Sequence, residues 1–308
     1  MLAAFLTTVL FSISAVCGHR TAKLLGGTEA NFWRLCLAAA LLAIYAHVFG
    51  PGLHSAAWPT FFLSGCIGFG VGDAALFQAL PRLGSRLSVM LVLCLSAPIA
   101  AVIEWLWIGT RLSASQIGYG LMILAGVAIA LIPGKHLNLS RAEAVPGTLF
   151  GLVAAFCQAY GAVLSRKAFA IAKLAGESLD GVTSAYQRIL GGVVVTAILF
   201  GVIRWRSADD GVTNGGAAVT RNEKWRAAWL WVVLNGLAGP ALGVSCYQWA
   251  LKTTPTGIVL PIVAITPLVI IPFARYVEGE RATVRSLFGG LIAVAGAAAL
   301  ALVSRPTG

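Results

Sequence analysis

The sequence predicts an all-α membrane protein with ten transmembrane helices, arranged as two inverted five-helix repeats around a central cavity. Of its 308 residues, 58% are hydrophobic and only 11% are charged, whereas about a quarter of a soluble chain is charged. Apolar runs of about 17–25 residues, long enough to cross a bilayer, recur along the whole chain. In addition, a long segment of the first half, Gly70–Leu131, has a second copy near the C-terminus. Water is therefore not the main solvent of this chain.

The apolar runs define the ten predicted spans. Helices are the expected form, because unpaired backbone groups are costly in hydrocarbon and the runs are longer than barrel strands. The first run lacks a basic start and ends in His19-Arg20, so we interpret it as a retained span and not as a signal peptide. The spans are 2–24, 30–49, 58–80, 85–108, 113–133, 147–171, 183–204, 226–251, 256–277 and 284–304.

The internal duplication is clearest in the third and eighth spans. Gly72–Leu80 (GDAALFQAL) aligns with Gly243–Leu251 (GVSCYQWAL). In the span that follows each segment, Pro98 aligns with Pro267. These matches indicate that one block of helices is present twice.

The duplication extends to the second and seventh spans, where Arg34 and Arg188 each follow an aromatic residue by two positions. It predicts a first repeat over 1–133, a linker over 134–146 and a second repeat over 147–304. Because five crossings are an odd number, the second copy enters the membrane from the opposite side. An axis in the membrane plane then relates the halves, as in many secondary transporters with a midplane binding site.

Composition and motifs exclude several other classes. The net charge of +11 comes from lysines and arginines that flank spans, so we expect no nucleic-acid partner. The six cysteines lie inside apolar runs without metal-ligand spacing and are expected to be packing residues. There is no Walker loop, GxSxG or HExxH motif, so we expect neither an enzyme, a metal nor a cofactor.

Charged residues inside the spans are the first candidates for function, because each costs roughly 2.5–3.5 kcal/mol at mid-membrane. Asp73 is either a proton or cation site or a partner for Arg34, Arg188 or a helix end. Glu104, beside two tryptophans, either reaches the headgroups or couples transport to protons. Arg34 and Arg188 either anchor at the headgroups or recognise an anionic substrate.

Uncharged polar residues and prolines inside the spans are the second group of candidates. The polar residues either orient a substrate or hold neighbouring helices together, at about 0.6 kcal/mol per bond. The prolines each remove a helix hydrogen bond and act either as gating hinges or as passive kinks. The candidates are Gln158, Tyr160, Asn235, Tyr247 and Gln248, together with Pro98, Pro240 and Pro267.

Several motifs resemble the EamA-like ten-span members of the drug/metabolite transporter superfamily. They are GDAALFQALPRLGSR, the mid-span Pro98, GTRLS before GYGLMILAGVAIAL, and EGERATVRSLFGGLIAVAGAAALAL. The resemblance covers residues 2–304 and implies a central cavity lined by spans 1, 3, 4, 6, 8 and 9, with spans 5 and 10 at the edge. One departure is Gly109-Thr110, where the family has Gly-Glu; Gly279-Glu280 keeps that pair in the second copy.

These observations and the resemblance together favour a secondary transporter of the cytoplasmic membrane, exporting small metabolites or amphipathic compounds by alternating access. Its expected partners are a small-molecule substrate and membrane lipids. The sequence is compatible with a monomer or a homodimer. The alternatives are a non-transporting scaffold or regulatory subunit, and a membrane enzyme acting on lipid. Loop charges place both termini outside, whereas the resemblance implies that they are inside.

Overall fold

The computed structural model describes residues 2–131, 141–209, 221–277 and 284–303. In those ranges all regular structure is helical, and seven helical stretches are long and apolar enough to cross a membrane. The chain is therefore a multi-pass membrane protein. Its α-helices are α1 (Leu2–Leu25), α2 (Gly27–Val48), α3 (Trp58–Gly65), α4 (Asp73–Ile108), α5 (Ala114–Leu131), α6 (Arg141–Leu174), α7 (Gly181–Asp209), α8 (Arg221–Gly236), α9 (Val244–Thr253), α10 (Thr256–Val263), α11 (Thr266–Val277) and α12 (Val284–Val303).

The third and fourth predicted spans lie in one helical stretch of 51 residues, Trp58–Ile108. Gly84 breaks this stretch inside α4, with φ of 80° and ψ of 165°. Glycine populates this region readily because it has no Cβ. The boundary between the predicted spans 58–80 and 85–108 is thus a joint between two helical rods, with no break in α4 other than Gly84.

Two π-helical segments interrupt the helices that carry the duplicated motif. The first, Cys66–Gly72, joins α3 to α4, and the second, Leu237–Gly243, joins α8 to α9. Each ends immediately before one of the two aligned positions, Asp73 and Val244. Single turns of π-helix are frequent at functional sites, and these two occur at the same point of each copy.

The helix that contains the ninth predicted span is broken, and α1 stabilises the break. A two-residue turn separates α10 from α11, just before Pro267. The Thr8 hydroxyl donates to the carbonyl of Ile262 (3.3 Å), and the Ser12 hydroxyl donates to that of Thr266 (3.1 Å). Such side-chain bonds stabilise irregular backbone at membrane depth.

Helices α5 and α12 pack closely through small residues. A Cβ added to Gly126 would lie 2.6 Å from the backbone nitrogen of Ala293 and 2.7 Å from the carbonyl oxygen of Gly289. Because Gly126, Gly289 and Ala293 meet at this point, the two backbones approach directly there. Gly279-Glu280, the second copy of the family's Gly-Glu pair, lies outside the described residues.

Two loops are joined by a carboxylate on one side of the helix bundle. The carboxylate of Glu177 accepts hydrogen bonds from the Ser55 hydroxyl (2.6 Å) and the Ala56 N–H (3.0 Å). Nearby, Asp180 caps α7 by accepting from the N–H groups two and three residues later (2.7 and 2.8 Å). The α2–α3 loop and the α6–α7 loop are thereby held together; we call this contact the loop clip.

The loop clip should weaken on acidification. The hydroxyl of Ser55 and the N–H of Ala56 lower the pKa of Glu177 below its ordinary 4.5. The clip is therefore stable above that ordinary pKa and is lost as pH falls through the lowered value. We expect the amide of Ala56 to exchange its hydrogen faster in Glu177→Gln at neutral pH than in the wild type. The wild type should show the same increase in acid, once the measured rate is corrected for the pH dependence of intrinsic exchange. Glu143→Gln, at an exposed position near the start of α6, should not change it; equal exchange in both variants would argue against the clip.

Candidate functional site

A cavity of about 90 Å³ lies between α1, α2, α4, α6, α7, α9 and the two π-helical segments. It has room for a few water molecules or one anionic group, and it is smaller than the roughly 300–1,000 Å³ of drug-sized pockets. Most of its lining is apolar. The polar side chains that line it are those of Ser14, Arg34, Asp73, Gln158, Arg188 and Tyr247.

Arg34 and Asp73 form an ion pair at the cavity. The Arg34 Nη2 donates to an Asp73 carboxylate oxygen, and its Nε donates to Asn31 Oδ1 at 2.9 Å. The guanidinium also lies over the ring of Phe77, with Cζ 4.6 Å from the centroid. In this conformation Asp73 is therefore the partner of Arg34, which is one of the roles that the sequence suggested for it. Arg34 is 5% exposed, so it does not reach the headgroups, as one interpretation expected.

Arg188 is buried beside the same cavity without a carboxylate partner. It is 1% exposed, and its Nε and Nη2 have no hydrogen-bond partner among the described residues. Its Cζ lies 4.7 Å from the ring centroid of Phe69 and 6.0 Å from that of Tyr247. The anchoring role at the headgroups is therefore wrong for Arg188 as well. The position that holds Asp73 in the first copy holds Val244 in the second.

Each arginine packs against a glycine from the other copy's π-helical segment. A Cβ at Gly68 would lie 2.7 Å from Nη2 of Arg188, and a Cβ at Gly239 would lie 3.2 Å from Nη1 of Arg34. The two glycines occupy equivalent positions in the duplication. Any larger side chain at these positions would crowd the guanidinium groups.

Three of the five uncharged candidates lie at the cavity or next to it. Tyr247 lines the cavity, is 1% exposed, and its hydroxyl has no partner among the described residues. Asn235 accepts a bond from the Ser14 hydroxyl (2.7 Å), and its Nδ2 is likewise unpartnered. Gln158 is partly buried and lines the cavity. These groups offer hydrogen bonds to a bound polar group.

The other two uncharged candidates do not line the cavity. Tyr160 stacks with Trp107 (5.6 Å between centroids) and with Phe156 (6.2 Å), both of which are exposed on the outer surface. Gln248 is buried and donates from Nε2 to the Ser165 hydroxyl (3.2 Å), which links α9 to α6. Both residues hold helices together in this conformation.

Glu104 is bound inside the protein, which corrects the expectation that it reaches the headgroups. It is 2% exposed, and Oε1 accepts from Arg166 Nε at 3.1 Å. Its Oε2 accepts from both the N–H (2.7 Å) and the hydroxyl of Thr256, the first residue of α10. A negative charge is favourable at a helix N-terminus. Glu104 thus ties α4 to α6 and α10, away from the cavity.

We expect Glu104→Gln to lower the free energy of unfolding by about 1–3 kcal/mol. The amide keeps the size of the side chain but removes the charge that faces Arg166 and the start of α10. Arg166 is 20% exposed, so water offsets part of the loss. Unfolding in mixed micelles titrated with sodium dodecyl sulfate measures the change. The exposed Glu143→Gln serves as the control, and equal stability of the two variants would contradict this role.

Comparison with known proteins identifies the family to which the chain belongs. The profile of the EamA-like transporter family matches residues 1–132 and 145–302. The chain belongs to the EamA-like transporter family. A probable 4-amino-4-deoxy-L-arabinose-phosphoundecaprenol flippase subunit, ArnE of Pseudomonas fluorescens (strain Pf0-1), is 31% identical over 85 residues, which are 28% of this chain and 72% of that protein. This EamA-like chain is thus related to membrane transporters and flippases, which points to a non-enzymatic role.

A solved crystal structure has the same fold as this EamA-like protein. It aligns with a TM-score of 0.70 and 19% identity, and covers 99% of this chain and 96% of its own. At that identity the likeness concerns the fold alone.

The three candidate prolines of this EamA-like protein have different surroundings. Pro240 lines the cavity within the second π-helical segment. Pro98 lies in α4, whose helix continues through it, and lines a separate apolar groove of about 650 Å³ between α4, α5 and α10. Pro267 follows the break between α10 and α11. The aligned Pro98 and Pro267 thus differ in their backbone surroundings, a continuous helix for Pro98 and a helix break for Pro267. A hinge role for the prolines stays a prediction.

The glycines that pack against the arginines belong to a spacing that occurs in both copies of the sequence. Gly65 and Gly68 are separated by two residues (GCIG), and Gly236 and Gly239 repeat that spacing at the equivalent point of the second copy (GLAG). A repeated pair of glycines indicates close approach of a neighbouring backbone or side chain. The partners themselves, Arg34 and Arg188 of the opposite copies, could only be identified from the structure.

Proposed function

We propose that this protein is a secondary transporter that exports small metabolites or amphipathic compounds across the cytoplasmic membrane by alternating access. The observation that carries the proposal is the central cavity, which has Arg34, Asp73 and Arg188 in an otherwise largely apolar lining. Charged groups are costly at membrane depth and are typically kept there for transport pathways. Membership of the EamA-like transporter family supports the same conclusion.

The proposed architecture is ten spans in two inverted halves, over 1–133 and 147–304. Two features support it. The π-helical segments, Cys66–Gly72 and Leu237–Gly243, fall at equivalent positions of the two copies. The contacts of each arginine with a glycine of the other copy are also equivalent. Reciprocal contacts of this kind are expected when two similar halves face each other across a two-fold axis.

Alternating access requires helices that bend and loops that separate. The joint at Gly84, the π-helical segments and the break between α10 and α11 are the points where bending costs least, because regular helix hydrogen bonds are already interrupted there. The loop clip at Glu177 holds one side together. We propose that this side opens when the clip separates, while the other side closes around the cavity.

We further propose that transport is coupled to protons at Asp73. Asp73 is the only carboxylate residue among the described residues that line the cavity, whereas both oxygens of Glu104 are bound elsewhere. Protonation of Asp73 would release Arg34 from its ion pair and change the charge of the cavity. A pH gradient could thereby drive the conformational change.

The test begins with a comparison of metabolites in the medium of overexpressing and deletion strains. A compound that differs is then supplied to proteoliposomes of the purified protein, with and without an imposed pH gradient. We expect flux that the gradient accelerates, and an Asp73→Asn variant that keeps counterflow but loses the acceleration. If Asp73→Asn leaves gradient-driven uptake intact, Asp73 is not the coupling site. If no compound is carried, the protein is not an independent transporter.

A regulatory or scaffold role is the second candidate, and one observation favours it. The ArnE relative is described as a flippase subunit, so a chain of this kind can act as part of an assembly. Flux through proteoliposomes that contain only this chain would exclude the role. Absence of flux, restored by adding a co-purifying membrane protein, would support it.

A further inference from the structure

The Arg188 guanidinium is a buried cation that no carboxylate pairs with among the described residues. It is 1% exposed, and Nε and Nη2 find no acceptor. A buried charge without a partner is strongly unfavourable, since burial removes the water that would solvate it. An ionisable group held in this state inside a membrane protein is by default a candidate for binding a partner that arrives from outside.

The groups around Arg188 do not neutralise it. Asp73, the carboxylate of the cavity, is bound to Arg34, and Val244 stands at the equivalent position of the second copy. The rings of Phe69 and Tyr247 attract the cation through their faces, but they accept none of its in-plane N–H bonds. The charged residues lining the cavity, two arginines and one aspartate, leave it with an excess positive charge.

Further hydrogen-bond donors are available at the same place. The Tyr247 hydroxyl and the Asn235 Nδ2 have no partner among the described residues, and both side chains are almost fully buried. A Cβ at Gly18, which lines the cavity, would lie 3.3 Å from that Nδ2. The Tyr247 hydroxyl lines the cavity and the Asn235 amide lies next to it, beside a guanidinium with two unpaired nitrogens. Hydrogen-bond donors grouped beside an arginine are an arrangement that binds oxyanions.

The arginine is also held in a defined position. A Cβ at Gly68 would lie 2.7 Å from Nη2 of Arg188, and a Cβ at Gly161 would lie 2.9 Å from the same atom. The guanidinium therefore sits in a slot between α6 and the first π-helical segment, with glycine on both sides. This fixed orientation lowers the entropy that anion binding would cost.

We propose that Arg188, together with Tyr247, binds the carboxylate or phosphate group of the transported compound. The apolar part of the lining, which includes Phe11, Leu76 and Val92, takes the rest of the molecule as the cavity widens. The substrates are then amphipathic organic anions. This inference rests on the proposed transport function and narrows its substrate class.

Binding to the purified full-length protein in detergent tests the site without transport. The probes are benzoate, benzyl alcohol and benzylamine at neutral pH, which share a ring and differ in charge. Benzoate should raise the Tm in a concentration-dependent way, and the other two should not. In Arg188→Met the apparent affinity for benzoate should be about 10- to 100-fold weaker.

The duplication offers a second variant that does not remove the arginine. Val244→Asp places a carboxylate at the position equivalent to that of Asp73, so it should pair with Arg188, raise the Tm without ligand and abolish the benzoate response. Val244→Asn is the matched control, with a similar shape and no charge, and should do neither. If Val244→Asp lowers the Tm as much as Val244→Asn does, Arg188 does not need an anion and the proposal is overturned.

A second set of binding measurements, with lipids, distinguishes a lipid phosphate from a soluble organic anion as the ligand. Micelles doped with phosphatidylglycerol or with phosphatidylcholine are compared in the wild type and in Arg188→Met. A response to phosphatidylglycerol that needs Arg188 supports the site with a lipid phosphate as its ligand. Absence of response to both benzoate and phosphatidylglycerol, or an equal response in Arg188→Met, overturns it. Failure of flux with anion binding intact would refute only the transport function.

Discussion

Asp73→Asn should lower the free energy of unfolding by about 3–5 kcal/mol, because it leaves two buried arginines facing the cavity without a carboxylate. The ion pair of Asp73 with Arg34 is well shielded, with side-chain exposures of 13% and 7%. Removing one member of a buried pair is more harmful than removing both. Unfolding in mixed micelles measures this loss, and the same preparation can be assayed for flux.

The control for Asp73→Asn is a double-mutant cycle with Arg34. Arg34→Met alone should also destabilise, since it leaves the carboxylate of Asp73 unpaired. Arg34→Met combined with Asp73→Leu should recover most of the lost stability, because no charge of the pair then stays buried. If the losses of the two single changes simply add in the double variant, the two residues are not energetically coupled as the geometry indicates.

Gly65→Ala should have the largest effect of any small substitution, with a loss of about 4 kcal/mol or more. A Cβ at this position would overlap the backbone carbonyl oxygen of Arg188, and α7 cannot move away without displacing the arginine. The crossing of α3 and α7 is tight from both sides, because a Cβ at Gly191 would overlap the carbonyl of Phe62. We expect little folded protein by size-exclusion chromatography and a much lower Tm.

Gly201→Ala is the matched control for this substitution. It lies on α7 as Gly191 does, but a Cβ there would meet no atom within 4 Å. Alanine is favoured over glycine inside helices by up to about 1 kcal/mol, so the Tm should stay the same or rise slightly. Gly65→Ala with a Tm equal to that of Gly201→Ala would show that the close crossing is not required for folding.

The positions of the helices and of the charged candidates could be predicted because they depend on local composition. Apolar runs indicate spans, and a charge inside such a run indicates a functional or paired group whatever the tertiary structure. The duplicated motif also pointed to Arg34 and Arg188, both of which line the cavity.

The sequence did not predict which side chains bind each other or which of them face the cavity. Gln158 and Tyr160 are two positions apart, about 200° around a helix, so only one could face the cavity, and the structure selects Gln158. Glu104 binds Thr256, which is 152 residues away, and no local pattern indicates so distant a partner. The choice of Arg34 over Arg188 as the partner of Asp73 is likewise a tertiary property.

Accessibility of the cavity from the two sides of the membrane tests alternating access most directly. Leu76→Cys, which lines the cavity, is made with the six native cysteines replaced by serine or alanine. It is exposed to a membrane-impermeant thiol reagent in vesicles of each orientation. Ile262→Cys, at a position that is 0% exposed, is the unreactive control. Alternating access predicts labelling of Leu76→Cys from both sides, whereas labelling from one side only, or from neither, would contradict it.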